Sequence, residues 1–400
     1  MQDRSADIER LADLLVGFGA NLQPGQILGV TAYLGMEDAA RAIARAGYKR
    51  GARYVDVLWW DNLVKRQRLE HAEEDTLDFV PQWLAQRMQW LSDEHAARIG
   101  LTGTSGSVFD GVDPARMGRD VLPYIADLPR IVNERTTNWT AAPVPNPGWA
   151  QRVYPQLSPD EALDKLWDQV VHVLRLDTED PVAAWRERMK AIVASAGRLT
   201  DRRFDALHLH GPGTDLTIGL FPSSTWLGAD FETIDGLTHY PNLPTEEVFT
   251  TPDPQRVDGH VSATMPLDMY GSTMEGIRIE FSAGRAVKAD ADLGAQALQA
   301  TIAKDDGAAR LGEIALVDRE GRIGPLGTVF YDTLIDENAA SHIALGNAYT
   351  FPVEDDADRE RVNKSAIHVD FMIGSNELDV DGITRDGDRV PVLRDGSWQI

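Results

Sequence analysis

The chain has 400 residues, a formal net charge of −24, no cysteine, and 43% hydrophobic residues. That length favours two domains over one, and the apolar fraction supports a sizeable core rather than disorder. The charge argues against nucleic acid and anionic membrane surfaces as partners. The lack of cysteine excludes disulfides, thiolate metal sites and a cysteine nucleophile, so any metal must be held by His, Asp or Glu.

From the N-terminus the sequence reads as α/β. SADIERLADLLVGF places apolar residues at helical spacing and lacks the basic start of a signal peptide. No stretch approaches the roughly 18 unbroken apolar residues of a bilayer span, so a cytoplasmic location is expected. GQILGVTAYL then reads as strand, MEDAARAIARAGYKRGA as helix, RYVDVLWW as strand, FVPQWLAQRMQWLSDEHAARI as helix and RIGLTGT as strand. Strands separated by helices of this length predict parallel βαβ units. Residues 138–155, rich in Pro and Trp, predict an ordered loop. Two helices follow, one capped at Ser158 and one opened by Pro181. After Leu199 the character changes. FDALHLHGPGTDLTIGL predicts a hairpin, and 257–289 a β-rich segment with turns at Tyr270-Gly271 and Ala283-Gly284. A helix near 291–303, the strand GEIALVD, a helix over ENAASHIALGNAY, the strand SAIHVDFMIGS and a last hairpin reaching Trp398 complete the chain. The acidic run at 354–361 predicts a solvated loop. The expected architecture is two α/β domains, a βαβ-type domain over 1–200 and a mixed α/β domain over 201–400, with the boundary near 195–205.

In SAIHVDFMIGS, Ile367, Val369, Phe371 and Ile373 fall on one parity, and His368 and Asp370 share the other, hence one face. A hydrogen-bonded structural His or a wet face is the bland reading. Against it, Ala366 and Met372 on that parity are apolar, and an ionised carboxylate buried there needs a cation or a donor. In NLPTEEVFTTP, Glu246 and Glu247 are adjacent, and in an extended segment they point opposite ways. One faces a site and the other solvent, unless the pair is simply an acidic turn. Glu313 opens the apolar run of LGEIALVD, where a strand-edge charge is the ordinary explanation. In DENAASHIALGNAY the expected helix puts His342 and Tyr349 on one face, with Glu337 on the loop entering it behind an Asp336 N-cap. His208 and His210 share a strand face ahead of a Gly-Pro-Gly turn, where a structural role outweighs ligation. GLTGTSGSVFDG lacks the Gly-Lys-Ser/Thr of a phosphate loop, and neither a Gly-x-Ser-x-Gly elbow nor His-Glu-x-x-His occurs. Together, the carboxylates, imidazoles and phenol between Glu246 and Asp370 suit two neighbouring divalent cations bridged by carboxylate.

NLPTEEVFTTP, GEIALVD, YDTLIDENAASHIALGNAY, IHVDFMIGS and ELDVDGI resemble the metallopeptidase family M29, the aminopeptidase T/S family. DPVAAW and PGWAQRVYP in the first half do so too, so the resemblance covers nearly the whole chain. It implies a C-terminal metal-binding catalytic domain, a homodimer, and short peptides with a free N-terminus as substrates. Its metal ligands fall on Glu247, Glu313, Glu337, His342, His368 and Asp370, implying two divalent ions per chain (zinc, cobalt or manganese), and its tyrosine falls on Tyr349. Glu246 is assigned as general base from its place beside Glu247, and Tyr349 as donor to the tetrahedral oxyanion. A branch resembling this family consists of non-haem iron dioxygenases that cleave hydroxylated pyridine rings. His342, His368 and Asp370 would supply their facial triad, and Glu247, Glu313 and Glu337 discriminate against it. A non-catalytic peptide-binding protein would leave six ligands idle.

Overall fold

The computed structural model describes residues 2–103, 106–120, 122–123, 127–228, 230–269 and 272–400. The turn expected at Tyr270-Gly271 lies outside them. The fold is mixed α/β, as the sequence predicts. Contacts group the chain into two compact units. One comprises Met1–Arg188, Asp230–Thr245 and Phe330–Leu334, and the other Met189–Ala229, Glu246–Val329 and Ile335–Ile400. Among the described residues no helix is long and apolar enough to cross a membrane.

The first unit is built on a parallel sheet of β1 (Ile27–Tyr33), β2 (Tyr54–Trp60), β3 (Ala97–Thr102) and β4 (Asn138–Pro143), in the order β2-β1-β3-β4. Its helices are α1 (Ser5–Leu14), running on as a π-helical turn over Leu15–Gly19, α2 (Glu37–Lys49), α3 (Asn62–His71), α4 (Gln82–Asp93), α5 (Pro114–Arg119), α6 (Asp127–Glu134), α7 (Pro147–Val153) and α8 (Pro159–Val173). Alternation along β1 sends Leu28 towards α2, where a Cβ on Gly47 would meet it. Gly29 lies on the other face, where a Cβ would meet Leu91 of α4. A short ribbon, β7 (Phe231–Glu232) and β8 (Thr238–His239), also belongs to this unit. Ser158 and Glu161 form the capping box that starts α8. The long α9 (Pro181–Arg202) passes from one unit to the other.

Residues 138–155 are not a loop. Their first six residues pair with β3, from Ala97↔Asn138 to Thr102↔Pro143. The strand is at the sheet edge and its proline is the last residue, where no ladder donor is lost. The next proline, Pro147, opens α7 behind the side-chain cap of Asn146 on the Trp149 amide. Helix α3 was not expected; its signal is Asp61, whose carboxylate accepts from the amides of Leu63 and Val64.

The second unit holds two antiparallel sheets. The larger has eight strands: β5 (Ala206–Gly211), β6 (Thr214–Leu220), β10 (Pro252–Ser262), β13 (Arg278–Ser282), β14 (Arg285–Asp290), β18 (Asp379–Ile383), β19 (Arg389–Arg394) and β20 (Ser397–Trp398). Their order is β14-β13-β10-β6-β5-β18-β19-β20. The expected first and last hairpins are both here. The smaller sheet has β9 (Glu247–Thr250), β15 (Leu311–Val317), β16 (His342–Gly346) and β17 (His368–Met372), in the order β17-β16-β15-β9. A ribbon of β11 (Leu267–Met269) with β12 (Ser272–Met274) and helix α10 (Ala295–Ile302) complete the regular part. Four-residue helices α11 (Thr333–Asp336) and α12 (Asp356–Arg359) are set into loops; α12 replaces part of the solvated loop expected at 354–361.

The helix expected over ENAASHIALGNAY is overturned. Glu337–Ala339 form a 3₁₀ turn, and His342–Gly346 are β16, paired on both sides. All five strand residues are buried. A short run buried on every side has no polar face, so its periodicity cannot separate strand from helix.

Candidate metal centre

The smaller sheet positions the candidate residues. Glu313 lies opposite Ala344, and Ala344 opposite Asp370; His342 lies between Ala315 and Met372, and His368 opposite Gly346. Glu247 opens β9 opposite Val317. Cross-strand partners share a face, and so do residues two apart on a strand. Glu247, Glu313, His342, His368 and Asp370 therefore rise from one face. Ala315, Ala344 and Gly346 stand among them, and these small residues leave room above the sheet. The register shifts between Leu311 and Glu313, a local irregularity of the kind that re-aims a side chain beside a site. Gly312 sits at the shift, where a Cβ would come 2.5 Å from the Gly346 carbonyl oxygen. The opposite face, with Val248, Ile314, Leu316, Ile343, Leu345 and Phe371, is buried core.

His342 Nε2 is 3.0 Å from Glu247 Oε2 and 3.9 Å from Glu313 Oε1. His368 Nε2 is 3.7 Å from Glu313 Oε2 and 3.4 Å from Asp370 Oδ1. Glu313 thus lies between the two imidazoles and offers one oxygen to each. Ligand atoms of Glu247, Glu313 and His342 all lie within 4.8 Å of one another.

Two further observations fit this donor set to cations. Glu247 Oε2 is sealed from solvent and, despite its closeness to His342, makes no hydrogen bond. Each imidazole also turns Nε2 to the cluster by donating from Nδ1 to a carbonyl, His342 to Ala340 (3.2 Å) and His368 to Asn347 (2.7 Å). Backbone carbonyls on the far nitrogen are the usual support of metal-ligating histidines. His368 keeps 34% of its side chain open to solvent, against 1% for His342.

Without a cation the cluster holds protons instead. Burial pushes Glu313 up to about 8; His368 and His342 oppose this, and the charges of Glu247 and Asp370 add to it. Burial would lower both histidines, but the carboxylates outweigh it and raise His342 to about 9 and His368 to about 10. Asp370 is lowered, because its histidine neighbours outweigh burial.

The chain is matched over residues 4–398 by the family described as thermophilic metalloprotease (M29). It belongs to the M29 family. Aminopeptidase T of Thermus aquaticus is 43% identical over 403 residues, with 98% of each chain covered. Aminopeptidase PepS of Streptococcus thermophilus is 37% identical over 405 residues, again with 98% of each covered. The solved structure of wild-type AmpT from Thermus thermophilus superimposes with a TM-score of 0.91 at 40% identity, covering 100% of both chains. These relatives lend no support to the ring-cleaving dioxygenase.

In this M29 chain the remaining candidates are less tightly drawn in. Glu337 is buried on the turn before β16. Burial and the charges of Glu313, Asp370, Glu337 and Glu247 push the Tyr349 phenol up, which keeps its proton available for donation. Tyr349 itself lies beyond the end of β16, with its ring centroid 6.1 Å from that of His368. Glu246 is buried and turns to Gly321 and the Arg322 amide, which donates to its Oε1 at 3.4 Å. Sequence reasoning missed Asn338. Its Oδ1 accepts from the Glu246 amide at 2.7 Å, and its Nδ2 lies 3.5 Å from Glu337 Oε1. It ties the two glutamate-bearing segments together, and its only sequence signal is its place beside Glu337.

His208 and His210 are on one strand face, as expected, with ring centroids 5.6 Å apart. His208 is spoken for on both nitrogens: Nε2 donates to Asp215 at 2.8 Å, and Nδ1 accepts from Arg389 at 2.9 Å. His208→Ala should therefore leave metal content unchanged and peptide hydrolysis within about twofold of the parent, since only a partly exposed polar network is lost. Loss of metal from that variant would show that the centre is misassigned.

Proposed function

We propose that this protein is an aminopeptidase that removes the N-terminal residue from short peptides using two divalent cations held by Glu247, Glu313, Glu337, His342, His368 and Asp370. The observation that carries the two-cation reading is Glu313, whose oxygens lie 3.9 Å from His342 and 3.7 Å from His368. A carboxylate in that position would serve two cations, one that Glu247 and His342 would also hold and one that His368 and Asp370 would also hold. The catalytic domain is taken as the C-terminal half, 201–400. The homodimer and the choice among zinc, cobalt and manganese rest on the family resemblance, and the cytoplasmic location on the reading of the sequence.

When bound, the cations supply a water acidified towards neutrality and Lewis-acid polarisation of the scissile carbonyl. The chain's own groups do the rest. Tyr349 donates its phenolic proton as a hydrogen bond to the carbonyl oxygen while negative charge builds there. Glu246 accepts the proton of the attacking water and passes it to the leaving amine. Because Glu246 points towards Arg322, this role requires its side chain to turn when substrate binds. The surplus of carboxylates beside the open edge at His368 favours a free, positively charged α-amine over a blocked one.

Exhaustive chelation should abolish hydrolysis of aminoacyl reporter substrates, and zinc, cobalt or manganese should restore it. Activity that survives verified metal removal would sink this reading.

A further inference from the structure

We propose that the first unit contains a second ligand site: a pocket over the parallel sheet that binds a small monoanionic organic acid with an apolar body of branched-chain or aromatic size. The pocket, of about 240 Å³, is lined by one face of β1, β2, β3 and β4 and by α4 and α6. A single water needs roughly 10–15 Å³ of such space, so this hollow has room for a molecule with many carbon atoms.

The sheet creates the hollow. Strands buried on both faces normally carry Val, Ile or Leu. Here Gly29, opposite Arg98, and Gly100, opposite Thr31, both line the pocket; Leu91 packs over Gly29, and Gly100 is left uncovered. A Cβ on Gly100 would meet only Ala141, at 4.0 Å. The walls are Leu58, Leu84, Met88 and Trp139. Its lining extends to Tyr33, Trp60 and Thr102 at the carboxyl ends of their strands, where open α/β sheets place their ligands.

Into this apolar space the chain sends two guanidinium groups. Arg87 donates from Nε to Asp56 at 2.6 Å, but its Nη2 is sealed from solvent and, among the described residues, has no hydrogen-bond partner. Arg98 Nε is sealed and unbonded as well, and among the described residues no carboxylate is recorded against this side chain. The Trp60 indole N–H is a third sealed donor with no acceptor among the described residues. Among the described residues, two arginines and one aspartate leave one positive charge in excess. Burial and repulsion from Arg87 push Arg98 down to about 10. Burial and repulsion from Arg98 push His239 down to about 4, so it stays neutral and offers no countercharge.

Sealed cationic donors without acceptors are costly unless an anion meets them, and a carboxylate fits the fork of an arginine. An added ammonium, as in a free amino acid, would face two guanidinium groups, which is why the acid is assigned without one.

Calorimetric titration of 3-phenylpropionate into the full-length, metal-loaded protein tests the site. The acid should bind saturably, its neutral amide at least tenfold more weakly, and sulfate should not displace it at equal concentration. Arg98→Met should weaken binding at least tenfold, and Gly100→Leu, which fills the hollow, should abolish it. Both variants should keep parental peptide hydrolysis and thermal midpoint. Binding that persists unchanged in both variants would place the acid at the metal centre instead and overturn the proposal. Equal binding of the amide, or displacement by sulfate, would overturn the assigned ligand class.

Discussion

Glu313→Gln should lower kcat/KM by at least about a thousandfold, because it removes the one carboxylate shared by both halves of the centre. The side chain keeps its shape, so loss of fold cannot account for the result. Metal content should fall with activity, to one ion per chain or fewer. The metal-free protein should respond in the opposite sense. Glu313 in the folded cluster is raised to about 8, above its ordinary value of 4.5. Between those values the folded state binds more protons than the unfolded one, so stability present at low pH is lost as pH rises. Gln removes that loss, and the metal-free variant should melt above the metal-free parent at pH 8. Near-parental turnover at matched metal occupancy would show that Glu313 is not a ligand.

Blocking the substrate's α-amine should reduce hydrolysis below detection, a loss of at least about a thousandfold if the amine is held by the centre. Glu247, Glu313 and Asp370 converge on the two imidazoles, with His368 on the open side. An ammonium is welcome there, while an acetylated amine brings bulk without charge. The check is chromatographic: a free tripeptide should lose its first residue before any other product appears, and its N-acetyl form should remain intact over the same period. Cleavage of the acetylated peptide at an internal bond would make the enzyme an endopeptidase.

The parts of this centre that were legible from sequence are those where a pattern has one physical meaning. His368 and Asp370 alternate with large apolar residues, and only a strand puts both on one face; β17 does so. Glu313 was legible as a strand residue for the same reason, with Ile314, Leu316 and Val317 around it. His342 was misread because HIALG is buried on every side, and only its pairing with β15 and β17 makes it a strand. Pro and Trp similarly hid β4, whose pairing with β3 is a long-range fact. The convergence of His342 with Glu247, 95 positions away, is likewise invisible in a single sequence. It arises from β9 and β16 flanking β15, and the family resemblance reached it only by analogy.

The central claim is two cations bridged by Glu313. Metal per chain, measured by elemental analysis on protein purified without added metal and then titrated from the metal-free state while activity is followed, tests it most directly. The account predicts that activity plateaus at two ions per chain. A plateau at one ion, with full activity, would contradict it.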